Sequence, residues 1–426
     1  MPDQSPRVLV VSAPPMDGQG GTGVTLANLF AQFQPRQIAQ LHLDPGTADP
    51  SLCGSSLRIP DNGSPLEARA RLIAGARSSS FSVSSASTIA AARAARSPRE
   101  LAKAWATATL DLSPVRLPAD VIGWATEARP DLIYSQLGSV RVMRIVNVLS
   151  TRLGVPVVPH FMDDWVNTLY ADHELFGFAR RTILKELDDV MRRTPFLLAI
   201  SRVMAEEYSA RFKRDARIFM NCVRDEDFAA SVPTLGRDSA KVLTYVGGLH
   251  LDRWRSLTRL AQTLLTVDPT AELRIHAPGA HLRAHHDKVT HLPNVRWGPP
   301  LEGSEVPFAL ASADVLVHVE SYEPSARRYT RLSVSTKLPQ YLAAGRPVLA
   351  LGPPELASMR YLIETRSGVV LQEGDAAGLA ALLENGRLRY DLAKGGLAHA
   401  REQHARSSVS KNLRDALRDV GGTQIS

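Results

Sequence analysis

An α/β fold of two doubly wound, Rossmann-like domains is predicted for this chain of 426 residues, and three observations predict it. Short apolar runs alternate with longer segments of helical period, the pattern of parallel strands covered by helices on both faces. The alternation runs through the chain twice, and a polar stretch at 221–241, carrying Pro233 and Gly236, separates the two series. The length also exceeds what one ordinary core accommodates and suits two domains of roughly 200 residues.

In the first series the apolar runs place strands at 7–12, 37–43, 131–135, 155–160, 196–200 and 216–220. In the second they fall at 242–246, 272–277, 294–297, 314–320, 347–351 and 368–371. Domains of 1–225 and 226–400 follow, with 401–426 as a C-terminal helix. The tail from 376 to 420 is helical in period. Segment 75–98 is low in complexity and rich in Ser, Ala and Arg, which reads as a mobile loop leading into a short helix. Ligands are expected at the carboxyl ends of the strands, in a groove between the two domains.

Composition narrows the function classes. With 44% hydrophobic and 22% charged residues the chain reads as globular. It has no run of about 18 apolar residues and no signal-peptide pattern, so a cytoplasmic location is expected, with peripheral contact at an anionic inner membrane face as a further reading. A formal charge of +7 suits phosphate-bearing ligands, anionic membrane or nucleic acid. The basic residues are mostly scattered arginines without interleaved aromatics, which argues against nucleic acid. Cys53 and Cys222 stand far apart with no metal-ligand spacing, so neither a disulfide framework nor a zinc site is expected.

The most informative segment is SVSTKLPQYLAAGRP at 333–347. It opens a helix with Ser335, Thr336 and Lys337 and stops it at Gly345, with Pro347 leading into an apolar strand. Free N–H groups and the dipole make a helix start an anion site, and these three side chains add hydroxyl donors and a positive charge there. GQGGTGVT at 18–25 follows a strand and opens a helix. A nucleotide-hydrolysing P-loop needs lysine, but Val24 and Gln19 occupy the two places where one stands. What remains is a glycine turn, with Gly21 and Gly23, whose N–H groups approach a ligand or merely close the turn.

His160 ends an apolar strand with Asp163 and Asp164 just beyond it. There an imidazole is placed to bond a ligand in the cleft, or the carboxylates cap the next helix. One histidine and two adjacent carboxylates make no metal triad. YVGGLHLDRWRSL at 245–257 is a strand, a glycine turn and a basic helix start. VLVHVESYE at 315–323 ends a strand with Glu320 and Glu323.

Taken in order, GGTG at 20–23, HFMDDW at 160–165, LAISRVMAEEY at 198–208, YVGGL at 245–249 and SVSTKLPQYLAAGRPVLALGP at 333–353 resemble the landmarks of the retaining glycosyltransferase family four. Its members share the two-domain GT-B fold. The resemblance spans about residues 7 to 400. It implies transfer of a sugar from a nucleotide diphosphate sugar to a saccharide or glycoconjugate acceptor, with retention, without a metal, and in polysaccharide or glycoconjugate biosynthesis.

The resemblance also implies roles. The glycine loop with Gly21 and Gly23 faces the donor phosphates and the acceptor, and His160 lies against the donor sugar. Gly248 stands where the family has an arginine and Arg253 where it has a lysine, so Arg253 and Lys337 are left to neutralise the diphosphate, with Arg255 as an alternative. Of the family's paired glutamates, Leu332 and Gln340 occupy the two places. Gln340 is then expected on the ribose, and Glu320, or second Glu323, near the reacting sugar. The loop with Arg327, Arg328, Tyr329 and Arg331 is expected to close over the phosphates, and helix 406–418 to cross back onto the first domain. Two alternatives share the fold. One is a nucleotide-sugar epimerase or hydrolase using His160 and Glu320 as acid and base. The other is a catalytically silent scaffold that binds a partner enzyme.

Overall fold

The computed structural model describes residues 5–18, 20–59, 98–171, 174–232, 240–289 and 292–420. Most of segment 75–98, and residues 233–239 of the stretch separating the two series, lie outside them. The chain divides into two compact units, Met1–Met220 with Ser407–Ser426, and Asn221–Arg406.

The first unit is built on seven parallel strands: β1 (Val8–Ser12), β2 (Ile38–His42), β3 (Ser55–Arg58), β4 (Leu132–Ser135), β5 (Val157–Phe161), β6 (Phe196–Ala199) and β7 (Asp215–Ile218). Their order across the sheet is β3-β2-β1-β4-β5-β6-β7, so the winding reverses between β1 and β4. The apolar runs that predicted β1, β2, β4, β5 and β6 are buried on both faces, and β1, VLVVS, has no exposed residue, whereas β7 at the sheet edge is partly exposed. Val8 pairs with Ile38 on one side and Leu132 on the other. This continuity of apolar residues is what parallel sheets under helices require.

Strand β3 is the one strand among the described residues that the periodicity did not predict. Its sequence, SSLR, is short, polar and mostly exposed, and it pairs only along β2 at the sheet edge. An edge strand buries little and leaves no apolar signature. Residues 407–420 also belong to this unit. Helix Arg406–Arg418 buries Val409, Leu413 and Leu417, and Ser410 Oγ accepts the Gln32 N–H at 2.8 Å.

The second unit has six parallel strands: β8 (Val242–Val246), β9 (Glu272–His276), β10 (Val295–Trp297), β11 (Val315–Val319), β12 (Val348–Leu351) and β13 (Gly368–Leu371). All six fall on predicted runs. Their order is β10-β9-β8-β11-β12-β13, with the reversal between β8 and β11. Leu243, Tyr245, Leu273, Ile275, Val315, Val317 and Leu349 form its core with Leu257, Leu260 and Leu264 of helix Arg253–Val267. Val223 and Ala405 pair at an isolated parallel bridge, tying the two ends of this unit together. Cys53 and Cys222 are both buried and neither is in a disulfide. Among the described residues no helix is long and apolar enough to cross a membrane.

Candidate functional site

In open parallel sheets ligands bind where the strand order reverses, beyond the carboxyl ends of the strands. In the second unit Gly247 and Gly248 leave β8 at that point, and Glu320 leaves β11 beside them. Tyr245, near the end of β8, is buried and donates its hydroxyl to the Gly248 carbonyl at 2.6 Å, closing the glycine turn onto its own strand.

Lys337 reaches the same tyrosine. Its Nζ donates to Tyr245 Oη at 3.1 Å and lies 4.6 Å from the ring centroid, where the face of the ring attracts a cation. The lysine caps helix Leu338–Ala343, and Tyr341 of that helix fixes the approach. Its hydroxyl accepts the Val246 N–H at 2.9 Å and donates to the Val246 carbonyl at 3.0 Å. Upstream, Ser335 N–H donates to Ser358 Oγ at 3.0 Å, and Asn221 Nδ2 donates to the Thr336 carbonyl at 2.9 Å. Burial lowers the Lys337 ammonium to about 7, Arg253 adding to the fall and Glu320 opposing it. It is therefore divided between two protonation states at neutral pH.

Arg253, the first residue of helix Arg253–Val267, is buried and faces Glu320. Its Nη2 donates to both carboxylate oxygens, at 3.1 and 3.0 Å, and its Nη1 donates to His250 Nε2 at 3.3 Å. Glu320 is 2% exposed, so this is a desolvated pair whose halves depend on each other. Two residues earlier, His318 sets its Nε2 3.5 Å from Glu320 Oε1. Burial, with Arg253 and Lys337 adding and Glu320 opposing, lowers that imidazole to about 4 and keeps it neutral. Arg255, on the exposed side of the helix, pairs with Glu323 at 3.0 Å.

The first unit has its own reversal, between β1 and β4. After β1 the chain turns through Gly18, at φ +69°, into helix Gly20–Leu29, and Gly21 and Gly23 lie in that helix. Gln40 of β2 braces the turn from the core: its Nε2 donates to the Pro14 carbonyl at 3.1 Å, and its Oε1 accepts the Met16 N–H at 2.8 Å. His160, in β5, is fully buried. Its Nε2 donates to the Phe219 carbonyl at 3.0 Å, so Nδ1 accepts from Tyr134 Oη at 2.6 Å. Burial lowers this ring to about 4, the Phe219 bond opposing the fall. Asp164 stands at the N-cap of helix Trp165–Thr168 without a capping bond. Its Oδ1 instead accepts from Tyr208 Oη and Asn167 Nδ2, both at 2.8 Å.

No protein-family model matches this chain, and no curated protein is significantly similar to it in sequence. Solved structures are similar in fold. HepE from Anabaena, solved in complex with UDP, has a TM-score of 0.64 at 14% identity, over 97% of this chain and 100% of that one. A glycosyltransferase from Rickettsia africae has a TM-score of 0.61 at 9% identity, over 98% of this chain and 99% of that one. WaaG, a glycosyltransferase involved in lipopolysaccharide biosynthesis, has a TM-score of 0.53 at 13% identity, over 98% of this chain and 100% of that one.

The fold is GT-B. In the second unit of this GT-B chain the structure brings Gly248, Arg253, Glu320 and Lys337 together at the ends of two adjacent strands, with Ser335 and Thr336 leading into Lys337. Gln340 lies half-buried on the helix that Lys337 caps. Gly21, Gly23 and His160 belong to the first unit.

Sequence reasoning missed Gly247, Tyr245, His250 and His318 as members of the site. Gly247 was within reach of it, as one of two adjacent glycines after a strand. His318 had a signal as well, a polar residue inside the apolar run VLVHV. Among the described residues no group of three or more His, Cys, Asp or Glu side chains is arranged to hold a metal ion.

Proposed function

We propose that this chain is a glycosyltransferase that moves a sugar from a nucleotide diphosphate sugar to a saccharide or glycoconjugate acceptor, with retention and without a metal. The observation that carries this reading is the convergence of Lys337 and Arg253 at the strand reversal of the second unit. A likeness in fold to HepE, solved with UDP and with UDP and glucose, supports it.

Breaking a sugar–phosphate bond leaves negative charge on the departing diphosphate, and fixed donors aimed at that charge are worth about 3–4 kcal/mol each. Lys337 and Arg253 supply charge for it, and the hydroxyls of Ser335 and Thr336 add donors. The grip of Glu320 on Arg253 holds the guanidinium in place, and Glu320 is also the carboxylate assigned to the reacting side. Gln340 serves the ribose. In the first unit Gly21 and Gly23, expected in a loop and found in the first turns of helix Gly20–Leu29, are assigned to the donor phosphates and acceptor. His160, expected against the donor sugar, is instead fully buried with both ring nitrogens bonded, to Tyr134 and Phe219, and supports the site from the core. Peripheral contact with an anionic membrane face belongs to the same reading.

A thermal-shift panel of UDP, GDP, ADP and dTDP, with and without magnesium, on wild type and Lys337→Ala tests it. One diphosphate is expected to stabilise the wild type without metal and to lose its effect on the variant. The sugar nucleotide of that base should then be consumed in the presence of acceptor, with the anomeric configuration of the product read by NMR. No shift with any of the four leaves a silent scaffold as the better reading.

A further inference from the structure

Two imidazoles flank Gly248. A side chain at this position would begin 2.6 Å from His250 Nδ1 and 3.1 Å from His281 Cε1, so the space above its Cα belongs to the two rings, whose centroids are 5.6 Å apart. His250 follows the glycine turn, and His281 comes from helix Gly279–Val289, which follows β9.

Neighbours fix the tautomer of each ring. A guanidinium only donates, so His250 Nε2 accepts from Arg253 and the ring proton sits on Nδ1, the atom facing Gly248. Leu249 N–H donates to His281 Nδ1 at 3.1 Å, which puts that ring's proton on Nε2. Desolvation, then Arg253, Lys337 and His281, hold His250 below the ordinary imidazole range, and burial and Lys337 do the same for His281. Both rings are therefore neutral donors at neutral pH.

Among the polar atoms around Gly248 the carboxylate of Glu320 is already taken up by Arg253, and the Gly248 carbonyl by Tyr245. The groups placed to face a ligand, Arg253, Lys337, His250 Nδ1 and His281 Nε2, all donate, and the glycine is what lets the two rings stand this close to the turn. The partner that fits is an acceptor with several oxygens and distributed negative charge. We propose that His250 Nδ1–H and His281 Nε2–H bind the distal phosphate of a nucleoside diphosphate beside the Gly247–Gly248 turn, with Arg253 and Lys337 supplying the charge. The proposal rests on the donor-site reading given under Proposed function. Its added content is that these histidines set the preference for diphosphate over monophosphate.

Titration calorimetry of the full chain with UDP, GDP, ADP and dTDP and the four matching monophosphates tests it, on wild type, His250→Ala and His281→Ala. Each alanine is expected to weaken diphosphate binding about tenfold, the size of one hydrogen bond to a charged group, and monophosphate binding less than about twofold. His250→Asn, whose amide nitrogen stands near Nδ1, and His281→Gln, whose amide nitrogen stands near Nε2, should regain most of the loss. Alanine variants that keep the wild-type ratio of diphosphate to monophosphate affinity overturn the proposal, as do alanine variants that fail to fold while the amide variants fold and show no preference. A wild type that binds no diphosphate removes the donor-site reading and this proposal with it. That outcome is recognised by there being no selectivity to lose.

Discussion

The ammonium of Lys337 occupies the volume that a side chain at Gly247 would fill. Glycine is required there twice over, because its φ of +149° is also a conformation that other residues rarely adopt. The lysine has no freedom to yield without loss. Tyr341 ties its helix to Val246, and Tyr245 takes its Nζ.

Gly247→Ala should therefore expel Lys337 from Tyr245 and strain the turn. A loss of about 1–3 kcal/mol in stability is expected from the backbone alone, with a larger loss in diphosphate affinity because the cation moves. Urea unfolding and calorimetry measure the two. Wild-type affinity in this variant would show that Lys337 does not need its present seat.

Lys337 also predicts a proton count. An anionic diphosphate favours the ammonium, so binding raises the lysine above its free value of about 7. Above pH 7 binding should take up close to one proton, below pH 6 almost none from this residue, and affinity should fall as pH rises through that range. Calorimetry at pH 8 in buffers of different ionisation enthalpy reads the uptake, and Lys337→Arg, charged throughout, should abolish it. Stability of the free protein moves oppositely. The unfolded lysine keeps its proton up to 10.5, so the fold gains stability as pH rises from about 7 to 10.5.

The Arg253–Glu320 pair is the third test. Arg253→Met leaves a carboxylate buried without its cation, and Glu320→Leu leaves a buried guanidinium. Each should cost about 3–5 kcal/mol, whereas the double variant should cost well under the sum. Additive losses in this cycle would mean that the two charges are separately solvated.

How much of this was legible in sequence depended on burial. Strands such as β8 and β12 are largely apolar because both faces are covered, and the unaided sequence placed them to within a residue. Strand β3 is exposed and polar, and left no such trace. The site divides the same way. Arg253 and Lys337 stand out as charges at helix starts, but their dependence on Gly247, Tyr245 and Glu320 comes from chain segments that only the sheet order brings together. The tautomer of His281 was unreadable for the same reason, since Leu249 of a distant segment sets it, and that of His250 depends on how the helix start turns Arg253, three residues on, towards the ring. His160 was readable as a polar residue at a strand end, whereas its two bonds to Tyr134 and Phe219 follow from packing.

Those two bonds make a final prediction for the first unit. Burial lowers His160 from 6.5 to about 4, so between these values the unfolded chain binds a proton that the folded chain does not. Stability is then full above pH 6.5, falls as pH drops towards 4 by about 3 kcal/mol from this residue, and falls no further below that. His160→Gln removes the titration. It should lower stability at pH 7, since Tyr134 and the Phe219 carbonyl lose a fitted partner, and should flatten the pH dependence between 6.5 and 4 relative to wild type. Urea unfolding of both proteins at pH 7 and 4.5 separates this from a role confined to the ligand. A variant that loses donor affinity but keeps the wild-type acid dependence would place the imidazole in the site rather than in the core that supports it.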